Sequence, residues 1–355
     1  MDPYKTEPHH YRIVFFTKNK SRTRYTMHII EAMRRLGCTV LHINIHRYKR
    51  WIGRRMLDRL LRRWVDRFEP DAVFVFSSDI LEETLEYLAG RYRTAHLLDD
   101  YFSVDAGVTE KIKMVDVFFH TQRGQIEEYR KAGVKKPVFV PNGVDDRVHH
   151  PGRFDPALAS DVAFTGQVYP GERVELLEAV DRAFDLKVYG QGWGQTKIRA
   201  ARKSIGALEF TRLCASVKVF LGIDKAKDLE LYFSNRTWFA LGCHAFLLTR
   251  YVKGLEQVFA NHVHLVWYED QEECLELLRF YLEHEELRAT IAAKGYRFVH
   301  DFYPNERMAE SMIRVLLEDG PLPTLTEPGP GFASGEQALA ALETQKSLGP
   351  RQSCP

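Results

Sequence analysis

Short apolar runs alternate with amphipathic helical patterns from residue 12 to residue 140, and the alternation starts again at residue 161. Each run has the length of a strand that is buried on both faces, and each helical pattern can connect two parallel strands. This alternation is typical of a doubly wound α/β sheet. Because it occurs twice in 355 residues, which is more than one hydrophobic core usually serves, we expect an α/β fold with two Rossmann-like domains.

A segment rich in Pro, Gly, Asp and His, residues 141–156, separates the two patterns and predicts the domain boundary. We expect an N-terminal domain over residues 1–145 and a second domain over 146–303. An amphipathic helical pattern that begins at Pro304 predicts a C-terminal helix over 304–318. Gly, Pro, Ser and Gln dominate residues 319–355, which predicts a disordered tail with a short helix at 337–344.

The composition excludes several classes of protein. Hydrophobic residues make up 45% and charged residues 28%, as in globular proteins, and the net charge of +2 does not indicate nucleic-acid binding. The five cysteines are scattered, without the spacing of a disulfide framework or a zinc site, so we expect no metal. The polar start and the lack of a membrane-length apolar run predict a cytoplasmic protein.

A strongly basic helical pattern extends from Arg47 to Arg67, with nine Lys/Arg against Asp58 and Asp66. Its apolar residues form a stripe, as a helix that covers a sheet requires. A basic amphipathic helix with a tryptophan can also lie on an anionic membrane surface, which would suit a lipid-linked acceptor. The sequence leaves both interpretations open, so peripheral membrane contact is one candidate partner interaction.

In the first domain, polar side chains follow two predicted strands. Asp99 and Asp100 end the fourth strand and His120 ends the fifth, where ligands bind in doubly wound sheets. A carboxylate or an imidazole at this edge could act as a general base. Paired aspartates also cap helices, and a histidine at a strand end is as often a hydrogen-bonded structural residue. The loop after the first strand lacks GxGxxG, so no dinucleotide fingerprint is present.

In the second domain, two successive predicted strands end in glycine, at Gly166 and at Gly190. Glycines in matching places would let a ligand approach the backbone closely, although turns that need positive φ would also explain them. A later strand places Asp224 at the same edge.

Residues 234–249 form the pattern of a loop, a short helix ended by Gly242, and a buried strand. Arg236 lies in the first turn of that helix, where the backbone N–H groups and the helix dipole favour an anion. The sequence therefore predicts a phosphate site here, with a salt-bridged surface arginine as the alternative.

These features resemble a known family. Residues 141–145 read PNGVD and are followed by Pro151, as at the interdomain junction of GT-B glycosyltransferases. From about residue 138 to 318 the chain resembles the group 1 glycosyltransferases of the CgeB (spore maturation protein) type. The motifs that carry this resemblance are Phe164-Thr165-Gly166 with Arg173, residues 188–193 (VYGQGW), Asn235-Arg236, Phe246-Leu247-Leu248, Tyr281-Leu282 with Arg288, Gly295, and Phe302-Tyr303-Pro304 with Arg307.

The resemblance implies a GT-B fold, with two Rossmann-like domains facing across a cleft and a sugar moved from a nucleotide-diphosphate sugar to a hydroxyl acceptor. The second domain would hold the donor, residues 189–193 would line the base pocket, and Arg236 would neutralise the departing diphosphate. The predicted donor-binding residues are Gly166, Arg173, Tyr189, Gly190, Gln191, Gly192, Trp193, Asp224, Ser234, Asn235, Arg236 and Thr237.

The absence of a DxD motif agrees with metal-independent GT-B chemistry, in which the donor is a substrate and no cofactor is needed. Asp99 or Asp100 would be the base if the anomeric centre inverts, whereas a retaining enzyme needs none. We therefore expect a hexosyltransferase-like enzyme that acts on a glycan, a lipid or a small molecule. The acceptor is not named by the sequence.

One residue departs from the family pattern. Phe239 stands where the family has a glutamate that binds donor hydroxyls, and an apolar ring cannot accept those hydrogen bonds. Donor binding is then rearranged, with Glu230 or Asp228 as a partial substitute, or the donor differs, or activity has been lost. The alternative function is therefore a non-catalytic GT-B-like protein that binds a nucleotide or glycan in polysaccharide assembly.

Overall fold

A computed structural model describes residues 8–18, 25–76, 80–99 and 108–347 of the chain. The chain forms two compact units. The first unit contains residues 1–145, 229–232 and 303–324, and the second contains residues 146–228, 233–302 and 325–355. Among the described residues, no helix is both long enough and apolar enough to cross a membrane.

The first unit is built on a parallel sheet of six strands in the order β2-β1-β3-β4-β5-β6. Its apolar strands are buried on both faces, as the sequence pattern requires. The strands are β1 (Arg12–Thr17), β2 (Thr39–Asn44), β3 (Ala72–Phe76), β4 (Arg93–Leu98), β5 (Val117–His120) and β6 (Pro137–Phe139). The helices are α1 (Tyr25–Arg35), α2 (Ile45–Ile52), α3 (Arg54–Phe68), α4 (Glu82–Ala89), α5 (Val108–Met114), α6 (Ile126–Lys131) and α12 (Asn305–Leu317).

The basic segment from Arg47 to Arg67 is two helices rather than the one that the sequence predicts. Gly53 separates α2 from α3 with φ of 65°, a backbone conformation that glycine adopts without steric cost. The two helices pack together through Tyr48 and Trp64, whose rings meet edge to face at 5.0 Å. The break therefore lets α2 turn away from the axis of α3.

The PNGVD segment pairs with the start of α12 inside the first unit. Val144 N donates to Tyr303 O at 2.9 Å, and Asn305 N donates to Val144 O at 2.8 Å. A Cβ on Gly143 would lie 2.6 Å from Tyr303 O, so only glycine allows this approach. The motif thus joins α12, which follows residues 233–302 of the second unit in the sequence, to the first unit.

The second unit is built on a parallel sheet of five strands in the order β11-β10-β9-β7-β8. The strands are β7 (Ser160–Thr165), β8 (Leu186–Tyr189), β9 (Val217–Gly222), β10 (Leu247–Arg250) and β11 (Val266–Tyr268). The helices are α7 (Glu172–Ala183), α8 (Ala207–Ser216), α9 (Asn235–Gly242), α10 (Gln271–Glu283), α11 (Glu285–Phe302) and α13 (Gly335–Ser347).

The described part of the C-terminal tail contains a longer helix, α13, than the short one that the sequence predicts within a disordered segment. Helix α13 packs on the hydrophobic core of the second unit. Ala338 is buried in this core, and Leu339 and Leu342 pack against it. Phe332 N donates to Asn261 O at 2.9 Å, which anchors the segment before the helix. The apolar residues of this stretch are few, but they lie on one side of a helix and find a partner surface.

Candidate active site

The second sheet places its ligand crevice between β7 and β9. From β7 the chain moves to one side to form β8 and then returns to the other side to form β9. In open parallel sheets, ligands bind outside the carboxyl ends of the strands at this reversal. The residues that end these strands, Thr165 on β7 and Gly222 on β9, therefore mark the site.

The loops after β7 and β8 lie in direct backbone contact. Gly166 N donates to Tyr189 O at 2.8 Å, and Val168 N donates to Gln191 O at 2.9 Å. A Cβ on Gly190 would overlap Gly166 O. The space beside the Gly190 Cα is thus occupied by the backbone of Gly166. This glycine lets two backbone segments come close together and does not make room for a ligand.

The predicted base pocket is also filled from within. Tyr189 and Trp193 are each only 2% exposed, and the Trp193 indole donates from Nε1 to Gly166 O at 3.0 Å. Gly192 has φ of 87°, and a Cβ there would overlap the Val168 side chain. Gln191 is exposed. A ligand at this loop would therefore meet Gln191 and the backbone rather than the two rings.

Arg236 lies where the sequence predicts, in the first turn of α9 at the carboxyl end of β7. Its Nη1 donates to Thr165 O, and its Nε donates to Ser234 Oγ at 3.1 Å. A Cβ on Gly166 would overlap the Arg236 guanidinium, so this glycine makes room for the arginine. The buried Thr165 Oγ1 has no hydrogen-bond partner among the described residues.

A second arginine, Arg173 on α7, ties the two strand ends together. It is 5% exposed, and its Nη2 donates to Ile223 O at 2.6 Å while its Nη1 donates to Gln167 O at 3.1 Å. Its guanidinium carbon lies 5.6 Å from the centre of the Phe164 ring. The Arg236 guanidinium carbon lies 5.5 Å from the same ring. Both cations therefore share one aromatic ring, in the range where cation–π attraction operates.

This arrangement extends outward through Tyr169, whose ring is 49% exposed. Arg173 lies 5.8 Å and the Lys225 ammonium 5.5 Å from the Tyr169 ring centre. We call the set Arg236, Phe164, Arg173, Tyr169 and Lys225 the cation–ring array. Three cationic side chains converge at the β7/β9 crevice, and an anion is the class of ligand that such a set of charges can bind.

Asp224 is the carboxylate of this region, and it faces inward. It is 4% exposed and accepts a hydrogen bond from Ser234 N at 3.0 Å. Burial raises the pKa of this carboxyl, while Arg236, the bonds from Ser234 and Arg173 act in the opposite direction. Asp224 thus fixes the loop before α9. Ser234 is the N-cap, Thr237 is buried, and Asn235 is half-buried in the first turn.

Phe239, which departs from the family pattern, stacks on a histidine. Its ring centre lies 4.2 Å from that of His149, and the two ring planes are 14° apart. His149 is buried, whereas Phe239 is half-buried and follows Arg236 by three residues on α9. Of the two carboxylates considered as substitutes, Asp228 is exposed, and Glu230 belongs to the first unit, where it pairs with Arg123 at 3.6 Å.

In the first unit, Asp99 is half-buried just after β4. It is close enough to Tyr25 to help raise the pKa of that phenol, for which burial is the larger cause. Asp100 lies outside the described residues. The carboxyl end of β4 is one strand away from the reversal of this sheet, which falls between β1 and β3.

His120 is fully buried at the end of β5. Its Nδ1 lies 3.1 Å from Leu98 O, and its Nε2 lies 2.9 Å from Gln125 Oε1. Both ring nitrogens are therefore engaged inside the unit, and the Tyr129 ring packs edge-on at 5.5 Å. This geometry favours the structural interpretation of His120 over the catalytic one, because a buried and doubly bonded imidazole does not meet a substrate.

No group of three or more His, Cys, Asp or Glu side chains that could hold a metal ion occurs in the described part of the chain. The residues that sequence reasoning missed are Tyr169 and His149. Tyr169 stands in a polar loop with no motif, and His149 is 90 positions before its partner Phe239. Neither position carries a sequence signal that could have found it.

Comparison with known proteins bears on the same region. The family model described as glycosyl transferase-like matches residues 173–314, a range that contains Arg173, Asp224 and Arg236. That range is similar to the glycosyl transferase-like family. The spore protein CgeB of Bacillus subtilis (strain 168) is 22% identical to it over 256 residues, which cover 66% of this chain and 78% of CgeB. The resemblance to CgeB-type group 1 glycosyltransferases is thereby confirmed.

Solved structures share the fold of this chain. A glycosyltransferase from Rickettsia africae matches with a TM-score of 0.63 and 11% identity, over 87% of this chain and 98% of that one. HepE of Anabaena, solved in complex with UDP and glucose, matches with a TM-score of 0.60 and 11% identity, over 87% of this chain and 100% of that one. The predicted GT-B fold of two Rossmann-like α/β domains is confirmed.

Proposed function

We propose that the protein is a glycosyltransferase that moves a sugar from a nucleoside-diphosphate sugar to a hydroxyl group of a glycan, a lipid or a small molecule. The observation that carries this proposal is the cation–ring array at the β7/β9 crevice. Departure of a nucleoside diphosphate builds negative charge. Fixed guanidinium groups stabilise that charge without reorganising as it forms.

The comparisons add support for the donor class. HepE structures contain UDP, UDP with glucose, or UDP-glucose, so a protein of the same fold binds this kind of donor. In our proposal Arg236 binds the diphosphate and the buried Arg173 adds positive charge without touching it. The reaction is metal-independent, and no cofactor is used beyond the donor. Turnover that EDTA leaves unchanged would agree with this chemistry, and turnover restored only by a divalent cation would refute it.

We propose that two partly exposed rings, Tyr169 and Phe239, contact different parts of the donor. Tyr169 is the exposed aromatic ring of the array, so it would stack on the nucleobase, while Gln191 contributes a polar group. Phe239 follows Arg236 on α9 and would pack on an apolar face of the sugar or ribose. A hydroxyl directed at Phe239 would lose its hydrogen bonds, which disfavours donors that need a carboxylate at this position.

The first unit would hold the acceptor. Asp99 or Asp100 would take the acceptor proton if the reaction inverts the anomeric centre, and neither would be needed if it retains the configuration. Replacing each in turn by asparagine separates these cases. Loss of transfer with nucleotide binding kept would support a base, and unchanged transfer in both variants would exclude it.

The second candidate is a non-catalytic protein that binds a nucleotide or a glycan. The stacked Phe239 and His149 favour it, because an aromatic pair stands where the family pattern has a hydroxyl-binding carboxylate. This candidate predicts stabilisation by a nucleotide or glycan without sugar transfer or donor hydrolysis. Phe239→Glu is the informative variant: gained turnover with an unchanged fold would mean that the ring suppresses activity.

The test of the main proposal is transfer or donor hydrolysis by the purified full chain with UDP-, GDP- and dTDP-sugars. Arg236→Ala should lower turnover roughly 100-fold or more, as removal of a group that stabilises transition-state charge does. Arg182→Ala, an exposed arginine at the end of α7, is the matched control and should leave turnover unchanged. Full activity of the Arg236 variant would refute its assigned role.

A further inference from the structure

A basic stripe covers the exposed side of α3 in the first unit. At 100° per residue, positions 55, 56, 59, 63 and 67 fall within an arc of about 120°. These positions hold Arg55, Met56, Arg59, Arg63 and Arg67, and all five side chains are exposed. We call these five residues the α3 stripe. Within the described residues, none of its four arginines forms an ion pair.

The two acidic residues of α3 offset this charge only in part, and both are bonded to side chains outside the stripe. Asp58 pairs with Arg62 at 3.1 Å and accepts from the Thr84 hydroxyl. Asp66 accepts from Tyr87 at 2.6 Å and from Tyr92 at 2.9 Å. Helix α2 contains no acidic residue. Asp66 keeps its negative charge, but the four arginines outnumber it, so the stripe carries net positive charge.

Large apolar side chains are exposed close to these cations in the sequence. Trp51, at the end of α2 and four residues before Arg55, is 82% exposed, and Met56 within the stripe is 52% exposed. A solvated helix face has no need of such side chains. Tryptophan is the residue that prefers the boundary between lipid headgroups and acyl chains, and arginine binds lipid phosphates there.

We infer that the α3 stripe and Trp51 form a docking surface for an anionic lipid bilayer. The arginines bind the phosphates of the headgroups, and Trp51 inserts at the headgroup boundary. Charge complementarity and exposed apolar side chains at one helix pair favour a bilayer over a nucleic acid, which would use the cations but not the apolar groups. The inference does not depend on donor chemistry, so it can fail or hold independently of the proposed transfer reaction.

The test uses the full chain with vesicles of phosphatidylcholine alone and of phosphatidylcholine mixed with phosphatidylglycerol. Cosedimentation should occur only with the anionic vesicles and should fall as salt rises. The triple variant Arg55→Gln, Arg59→Gln, Arg63→Gln should bind roughly 100-fold more weakly, since each cation near an anionic surface contributes about a factor of five. The nucleotide response of this variant should stay unchanged.

The matched control removes three exposed cations elsewhere in the first unit, through Arg130→Gln, Lys131→Gln and Lys135→Gln. Equal loss of binding in both triple variants would overturn the assigned face. Tryptophan fluorescence should shift to the blue on anionic vesicles in the wild type but not in Trp51→Phe, and a shift kept in that variant would overturn the role of Trp51. Binding to an RNA duplex but not to anionic vesicles would overturn the bilayer itself.

Discussion

The carboxyl ends of the two sheets place polar side chains in opposite ways. In the second unit, Arg236 and Arg173 lie against Phe164 at the β7/β9 crevice, held by bonds to backbone carbonyls at the strand ends. In the described part of the first unit, His120 is enclosed and bonded to Leu98 and Gln125. The first arrangement concentrates positive charge at the reversal of the sheet, whereas the second uses its polar groups to join strands and helices. Position at a strand end therefore does not by itself make a residue functional.

The largest expected effect concerns the backbone contact between Gly190 and Gly166, at the carboxyl end of the second unit's sheet. Gly190→Ala should destabilise the protein by about 3 kcal/mol, because the new Cβ would overlap Gly166 O and force two strand ends apart. Urea denaturation measures this change. Gly194→Ala, where a Cβ meets nothing within 4 Å, is the control and should be nearly neutral. Equal stability of the two variants would mean that the close approach of Gly190 to Gly166 does not contribute to stability.

His120→Ala should lower stability by about 2 kcal/mol, because it leaves Gln125 and Leu98 O without their buried partner. Turnover per folded molecule, and its pH profile, should stay as in the wild type. Activity measured at a temperature where the variant is folded checks both statements. A stable variant without turnover would mean that His120 is catalytic. The carboxyl ends of the two sheets would then not differ in the way described.

Tyr169→Ala should raise KM for the donor roughly tenfold with little change in kcat, because base stacking on an aromatic ring contributes about 1–3 kcal/mol. Tyr169→Phe keeps the ring and should behave like the wild type. Steady-state kinetics with one donor separates the two variants. If the phenylalanine variant is as impaired as the alanine variant, the hydroxyl rather than the ring carries the effect.

The smallest effect concerns Asp224, whose carboxyl pKa is raised by burial above its ordinary value of 3.8. The folded chain then holds this proton more tightly than the unfolded chain. Its contribution to stability is fully present below about 3.8 and is lost as pH rises through the folded pKa, by at most about 1.4 kcal/mol per pH unit. The stability of the wild type relative to Asp224→Asn should therefore fall with rising pH in urea titrations. A difference that grows with pH would contradict the raised pKa.

The sequence predicted the two sheets and the position of Arg236 at the start of a helix, because those depend on local pattern. Alternation of apolar runs and helices identifies both sheets, and helix-start residues place Arg236 correctly. The remaining features depend on contacts between distant positions. His149 meets Phe239 from 90 residues away, His120 lies 3.1 Å from the carbonyl oxygen of Leu98, and Gly190 faces the backbone of Gly166. Gly53 also breaks the basic helix in two, which a pattern of charges does not reveal.

The most direct measurement is calorimetric titration of the full chain with UDP, GDP and dTDP, in the wild type and in Arg236→Ala. At least one nucleoside diphosphate should bind to one site per chain, with affinity lowered at least tenfold in the variant and unchanged in the Arg182→Ala control. If none of the three nucleotides binds the wild type, or if Arg236→Ala binds as tightly as the wild type, the cation–ring array is not a diphosphate site.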